Sequence, residues 1–185
     1  MKLSKEQITT IAESIGSDYA SFMAFMSCET GFLGFIDGRI VIQFEPAHFK
    51  KNAPFAPSGK WSINKVENQA KEYIAFSEAF KMFPTAAMLS TSWGLGQIMG
   101  YHYARLGYKT VNAMVDDFKS SEYKQVIGIA KFIATDSRLL KALRERNWHL
   151  VATYYNGKYY KELAAKYDRE PYDISMAKAF FKYAA

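Results

Sequence analysis

The sequence predicts a mainly helical fold carrying one small β-hairpin. Three observations predict it. From Tyr103 almost to the C-terminus, apolar residues recur at helical spacing between short polar caps. Between residues 18 and 29 the chain is apolar on nearly every face, as in a helix buried at the centre of a fold. Asp37-Gly38 then stands where two strand-like runs meet, a strong hairpin signal. With 185 residues, 49% of them hydrophobic and 16% aromatic, the chain can build one substantial core, and residues 1–185 read as a single domain.

Each element has its own local reason. Ser4-Lys5-Glu6-Gln7 is a capping box that opens a short helix with Ile8 and Ile11 on one face, and Gly16 ends it. Asp18 caps a second helix, whose Phe22, Phe25 and Met26 form a buried stripe. It runs into Glu29, and Gly31 stops it. The hairpin returns to Glu45, with Ile40, Ile42 and Phe44 alternating with Val41, Gln43 and Glu45. If Phe44 faces the core, the strand period turns Glu45 to the opposite face. Pro46 starts a short helix through Phe49. Residues 52–63, with two prolines and a glycine, read as a surface loop in which Trp61 is either a substrate platform or an anchor.

Asn64 is expected to cap a helix to about Met82, with Ala70, Tyr73, Ile74 and Phe80 inward. Pro84 breaks it, and a short helix follows to Leu89. Ser90 to Gly100 holds three glycines within seven residues, around Trp93 and Gln97, so backbone there comes very close to a substrate or to another helix. Further helices are expected over about 110–118, 121–135, 136–146, 148–155, 159–167 and 174–183. Asp136 and Asn147 serve as caps, and Gly157 closes the helix that carries Tyr155 and Asn156.

Composition excludes several classes of function. No run of about 18 apolar residues is present, so no transmembrane helix is expected. Glu6 and its polar neighbours break any signal-peptide core after the basic start, which predicts synthesis in the cytoplasm without an export signal. The single cysteine, Cys28, permits no internal disulfide and reads as a small buried apolar residue. His48, His102 and His149 lack metal-ligand spacing, so no metal and no cofactor are expected. The net charge of +6 favours an anionic partner. The basic residues are scattered, with Lys50-Lys51 and Arg144-Glu145-Arg146 the densest groups, and no nucleic-acid motif appears, so no specific nucleic acid is expected.

Two carboxylates remain as candidate chemistry. An acid at a helix end against apolar side chains stays protonated near neutral pH, and Glu29 has that setting. Glu45, on the neighbouring hairpin, is the second carboxylate that glycoside hydrolysis requires.

Glu29-Thr30-Gly31, Gly94-Leu95-Gly96-Gln97-Ile98 and Tyr155-Asn156-Gly157, in that order, resemble the lysozyme and soluble lytic transglycosylase superfamily. The chain is more closely similar to the N-acetylmuramidase catalytic domain of phage endolysins. Glu29 to Phe32, Asp37-Gly38-Arg39, Phe44-Glu45, Ser92 to Gly100 and Tyr155 to Gly157 carry that resemblance, and the nine-residue block from Ser92 is its most specific part. It spans about residues 20–170. Thr30, Ile40 and Ala47 depart from the family pattern, Ala47 standing where a histidine often follows Phe-Glu.

The resemblance implies a lysozyme-like α+β fold and an enzyme acting on peptidoglycan. Many members of that family carry a separate wall-binding domain, but no stretch of this chain could encode one, so a catalytic domain alone, acting as a monomer, is expected. Glu29 would be the general acid that protonates the glycosidic oxygen between N-acetylmuramic acid and N-acetylglucosamine. Gln97, Tyr155, Asn156 and Ser92 would line the cleft, and Trp93 is either sugar platform or core. Glu45 would act from roughly 6.5–9.5 Å through a water, or as a nucleophile at about 5–5.5 Å. If Glu45 is tied up structurally, a lytic transglycosylase giving 1,6-anhydro ends is the alternative. A peptidoglycan-binding module without turnover is the other. Reaching the wall would require delivery, by a holin or a secretion apparatus.

Overall fold

The computed structural model describes residues 3–29, 31–65 and 68–185, Glu29 by its backbone alone. These fall into two compact units. Leu33–Gly128 forms one; the residues up to Phe32 together with Ile129–Ala185 form the other. Eleven α-helices and five short strands make up the described residues, a mainly helical fold with a small antiparallel β component.

In the second unit, α1 (Lys5–Ser14) opens on the capping box, Ser4 and Gln7 exchanging side-chain bonds to each other's backbone N–H. Gly16 follows at φ 65, and a Cβ there would lie 2.7 Å from Arg144 Nη2. That guanidinium donates to the Ile15 carbonyl, with Nε at 3.0 Å. The glycine therefore serves both a left-handed backbone and a close approach. Asp18 then caps α2 (Tyr19–Glu29), accepting from the Ser21 N–H at 2.8 Å. Phe22, Ala24, Phe25 and Met26 are all buried. Burial of each large side chain among them contributes roughly 1.5–3 kcal/mol.

Helices α1, α8 (Ser137–Arg144) and α11 (Tyr172–Ala184) pack on α2. Between the last two lie α9 (Trp148–Asn156) and α10 (Tyr160–Lys166). Asp136 caps α8 and Asn147 caps α9 as expected, and Gly157 leaves α9 at φ 87. Glu29 is the last residue of α2. Thr30 lies outside the described residues, and beyond it Phe32 has the left-handed backbone, at φ 54.

In the first unit, β1 (Phe35–Ile36) and β2 (Arg39–Ile40) form the hairpin, with Asp37 and Gly38 both at positive φ in its turn. The returning strand does not run unbroken to Glu45. It stops at Val41, whose N–H goes back to the Gly34 carbonyl. The chain then enters a separate three-stranded antiparallel sheet ordered β3-β4-β5, with β3 at Ile42–Phe44, β4 at Thr91–Trp93 and β5 at Ile98–Met99. Helix α3 (Pro46–Asn52) leaves the end of β3, and α5 (Pro84–Leu89) leads into β4. Helix α6 (Val111–Ser120) follows the sheet, and the chain passes into the second unit within α7 (Glu122–Ala134).

Helix α4 (Gln69–Met82) departs from the expected reading in both its start and its face. Asn68 caps it, while Asn64 donates to the Glu72 carboxylate. Its buried residues are Glu72, Ala75 and Ala79, while Ala70, Ile74 and Phe80 are exposed and Tyr73 is half-buried. The cause is the free edge of β3. Gln69 accepts from the Ile42 N–H at 2.9 Å and donates to the Ile42 carbonyl at 2.7 Å, and Glu72 accepts from the Phe44 N–H at 2.7 Å. One helical turn of polar side chains thus stands where a fourth strand would pair. Below the sheet, Phe44, Phe49, Trp61, Ala75 and Ala79 share one core cluster. Trp61 is its anchor: it is 2% exposed and its indole N–H donates to the Pro57 carbonyl.

Candidate functional site

The three-stranded sheet has two unlike faces. Ile42, Phe44, Thr91, Trp93 and Ile98 alternate onto one face, and all are buried. The register pairs Gln43 with Ser92 and Ser92 with Met99, which sets these three side by side on the other face. Glu45 continues the Gln43 side by the same period. Its Oε1 accepts from the Gln43 amide at 2.6 Å, and its backbone N–H donates to the Ser90 carbonyl at 2.9 Å. Glu45 is also the N-cap residue of α3, in extended backbone, but its side chain makes no capping bond. The carboxylate is therefore directed by Gln43 rather than spent on the helix end. The strand alternation places Glu45 on the face away from Phe44, as the sequence predicts.

At the opposite end of the sheet, residues 94–97 turn β4 into β5. Gly94 has φ 65, and a Cβ there would lie 2.6 Å from the Gln125 amide. Gln125 is 1% exposed; its Oε1 accepts from the Leu95 N–H at 2.7 Å and its Nε2 donates to the Phe118 carbonyl. Gln97 takes φ 45, and both its backbone N–H and its side-chain amide donate to the Gly94 carbonyl. A non-glycine residue held in this region is strained backbone that the surrounding bonds must maintain. At the far side of β5, a Cβ on Gly100 would lie 1.9 Å from the Met88 carbonyl. The glycine motif thus brings backbone against the protein itself, at α5 and at Gln125.

Trp93 corrects the platform reading. It is 1% exposed, its Nε1 donates to the Met88 carbonyl, and its ring packs edge-on against Phe76. The strand period puts it on the core face, so its ring does not reach a ligand on the polar face. Ser92, its neighbour, lies on the polar face, with its hydroxyl turned to the Met99 sulfur.

In the second unit, Glu29 ends α2, one turn beyond Phe25. The Phe25 ring meets the Tyr155 ring edge-on at 4.9 Å, and Tyr155 stacks on Tyr172 at 6.3 Å and meets Phe132 at 6.1 Å. Tyr155 is half-buried and Asn156 is exposed, both in the last turn of α9. Cys28 is half-buried.

Sequence reasoning missed two residues of these assemblies. Gln125 lies next to the apolar stripe of α7, and only its partners at Leu95 and Phe118 reveal its role. Tyr172 carries a buried hydroxyl that has no hydrogen-bond partner among the described residues, on a ring stacked against Tyr155.

A family model described as N-acetylmuramidase matches residues 18–184. Among solved structures, the crystal structure of the endolysin of Burkholderia phage AP3 superposes with a TM-score of 0.84 at 32% identity, covering 98% of this chain and 70% of that one. No curated protein matches.

Proposed function

This chain belongs to the N-acetylmuramidase family of peptidoglycan-degrading enzymes, and from that premise we propose that it cleaves the β-1,4 bond from N-acetylmuramic acid to N-acetylglucosamine. The observation that carries the proposal is the polar face of an otherwise buried sheet, on which Gln43 directs the Glu45 carboxylate. Glu29 protonates the departing glycosidic oxygen, a role worth about 10²- to 10⁴-fold in rate. Its place at the end of an apolar helix suits an acid that must hold its proton near neutral pH. Glu45 activates water or attacks the sugar. Gln97, Ser92, Tyr155 and Asn156 contact the glycan. The net charge of +6 suits the anionic wall, and a holin or a secretion apparatus delivers the enzyme to it.

One observation favours a second reading. The Gln43 amide already occupies one Glu45 oxygen, as it would if Glu45 were held structurally and Glu29 worked alone. The sugar's own 6-hydroxyl would then displace the leaving group and give 1,6-anhydro ends. Mass spectrometry of peptidoglycan digested by wild type, Glu29→Gln and Glu45→Gln separates the two. Reducing N-acetylmuramic acid ends, lost in both variants, are expected. Anhydro ends lost only in Glu29→Gln would replace the hydrolase with the transglycosylase. Reducing N-acetylglucosamine ends, or no products from wild type, would overturn both.

A further inference from the structure

Strands β3 and β5 both run antiparallel to β4, so their C-terminal ends emerge at the same edge of the sheet, about 10 Å apart. Glu45 follows β3 directly, and His48 stands one helical turn on, in the first turn of α3. Tyr101 follows β5, in the 3-10 turn Gly100–His102. The two side chains close the gap between the strand ends: their rings stack at 5.5 Å with 27° between planes. His102 meets Tyr101 at 4.3 Å. The stack rises from half-buried His102 through Tyr101, 44% exposed, to exposed His48.

Its supports are rigid. Gly100 is pressed against the Met88 carbonyl, and the Tyr103 N–H closes the turn onto the Gly100 carbonyl. Asn52 at the end of α3 donates to the Ser90 hydroxyl at 2.8 Å, and the Glu45 N–H holds the Ser90 carbonyl at the other end, so α3 is tied to the sheet at both ends. Burial, and then the Arg105 guanidinium, hold His102 below the ordinary imidazole value, so the base of the stack is uncharged at neutral pH.

We propose that the His48–Tyr101 stack is a sugar-binding platform adjoining Glu45, which seats one pyranose ring of the glycan strand. The proposal rests on the glycan-cleaving reading above. Pyranose rings carry patches of C–H bonds that pack on aromatic surface, and the neighbouring Gln43 and Glu45 supply hydrogen-bonding groups for the hydroxyls at the sugar's rim. Preformed rings lose little freedom on binding, so the contact adds affinity without further ordering.

The test uses Glu29→Gln protein labelled in its aromatic rings and its backbone amides and titrated with a tetrasaccharide of alternating N-acetylglucosamine and N-acetylmuramic acid. NMR shifts of the Tyr101 and His48 rings are expected, and Tyr101→Ala in that background should weaken Kd about three- to tenfold. In the otherwise wild-type enzyme, Tyr101→Ala and His48→Ala should raise KM by a similar factor and leave kcat within about twofold. Tyr101→Phe, which keeps the ring, should recover most of the lost binding. Silent rings while Gln97 or Ser92 responds, or a Tyr101→Ala variant that binds as its parent does, would overturn the platform and leave the glycan-cleaving reading standing. No response at any residue, with peptidoglycan left intact by wild type, would overturn both.

Discussion

Helix α2 and the three-stranded sheet each lead to one of the two carboxyl residues, and they do so by opposite chemistry. The approach to Glu29 is apolar: Phe22, Phe25 and Met26 are buried, and the Tyr155 ring packs on Phe25. The approach to Glu45 is a network of polar side chains. Gln43 holds the carboxylate, and Gln69 and Glu72 hold the strand that carries it. The two regions therefore differ in setting: an apolar helix on one side and a hydrogen-bonded polar strand face on the other.

The comparison breaks first at Glu29. Glu29→Gln should lower the rate of glycan cleavage by about 10²- to 10⁴-fold while leaving the melting temperature nearly unchanged, as turbidity clearing and calorimetry would show. Retained activity would remove the acid from the scheme. Next comes the apolar side. Phe25→Ala deletes a ring that is 2% exposed and packs on Tyr155, and should cost about 3–5 kcal/mol in denaturant unfolding.

The polar side is tested at Glu72. Its removal as Glu72→Ala strands the buried Phe44 N–H and should cost about 2–3 kcal/mol, with loss of activity through displacement of Glu45. A cost below about 0.5 kcal/mol would show that water replaces the carboxylate at the strand edge. Asp18→Ala should cost about 1 kcal/mol through the lost cap of α2. Burial would raise the Asp18 carboxyl, but the Ser21 hydroxyl and N–H, together with Arg146, outweigh it and hold it below the ordinary aspartate value. A carboxyl lowered in the folded state stabilises above its unfolded value near 3.8 and loses that contribution as pH falls through its folded value. The gap in melting temperature between wild type and Asp18→Ala should therefore narrow below pH 3.8. The smallest effect belongs to Tyr172→Phe. Removing a buried hydroxyl that has no partner among the described residues should leave stability unchanged or raise it by up to about 1 kcal/mol.

The same contrast explains what could be read in advance. Local chemistry was legible: the Ser4 and Asp18 caps, the Asp37-Gly38 turn, the apolar run of α2, and the alternation that sets Phe44 and Glu45 on opposite faces. Each depends on residues within a few positions of one another. The face of α4 was not legible, because a helix is expected to bury its large apolar residues, and here the free edge of β3 competes for the polar ones. Only the position of that edge, some 27 residues earlier in the chain, makes Gln69 an inward residue. Trp93 was ambiguous for a related reason. A tryptophan in a glycine-rich motif suits either a ligand or a core until the strand register assigns its face.

Gln125 carries a consequence for motion. Turns of four residues at a sheet end ordinarily open freely, and their amide protons exchange with solvent quickly. The Leu95 N–H instead ends on the oxygen of a side chain that is 1% exposed, and the same side chain grips the Phe118 carbonyl at the end of α6. The tip that presents Gln97 is thereby fastened to a helix, and its amide should exchange as slowly as those of the core. Motion in this unit must then come from elsewhere in the chain, while this turn behaves as a fixed point.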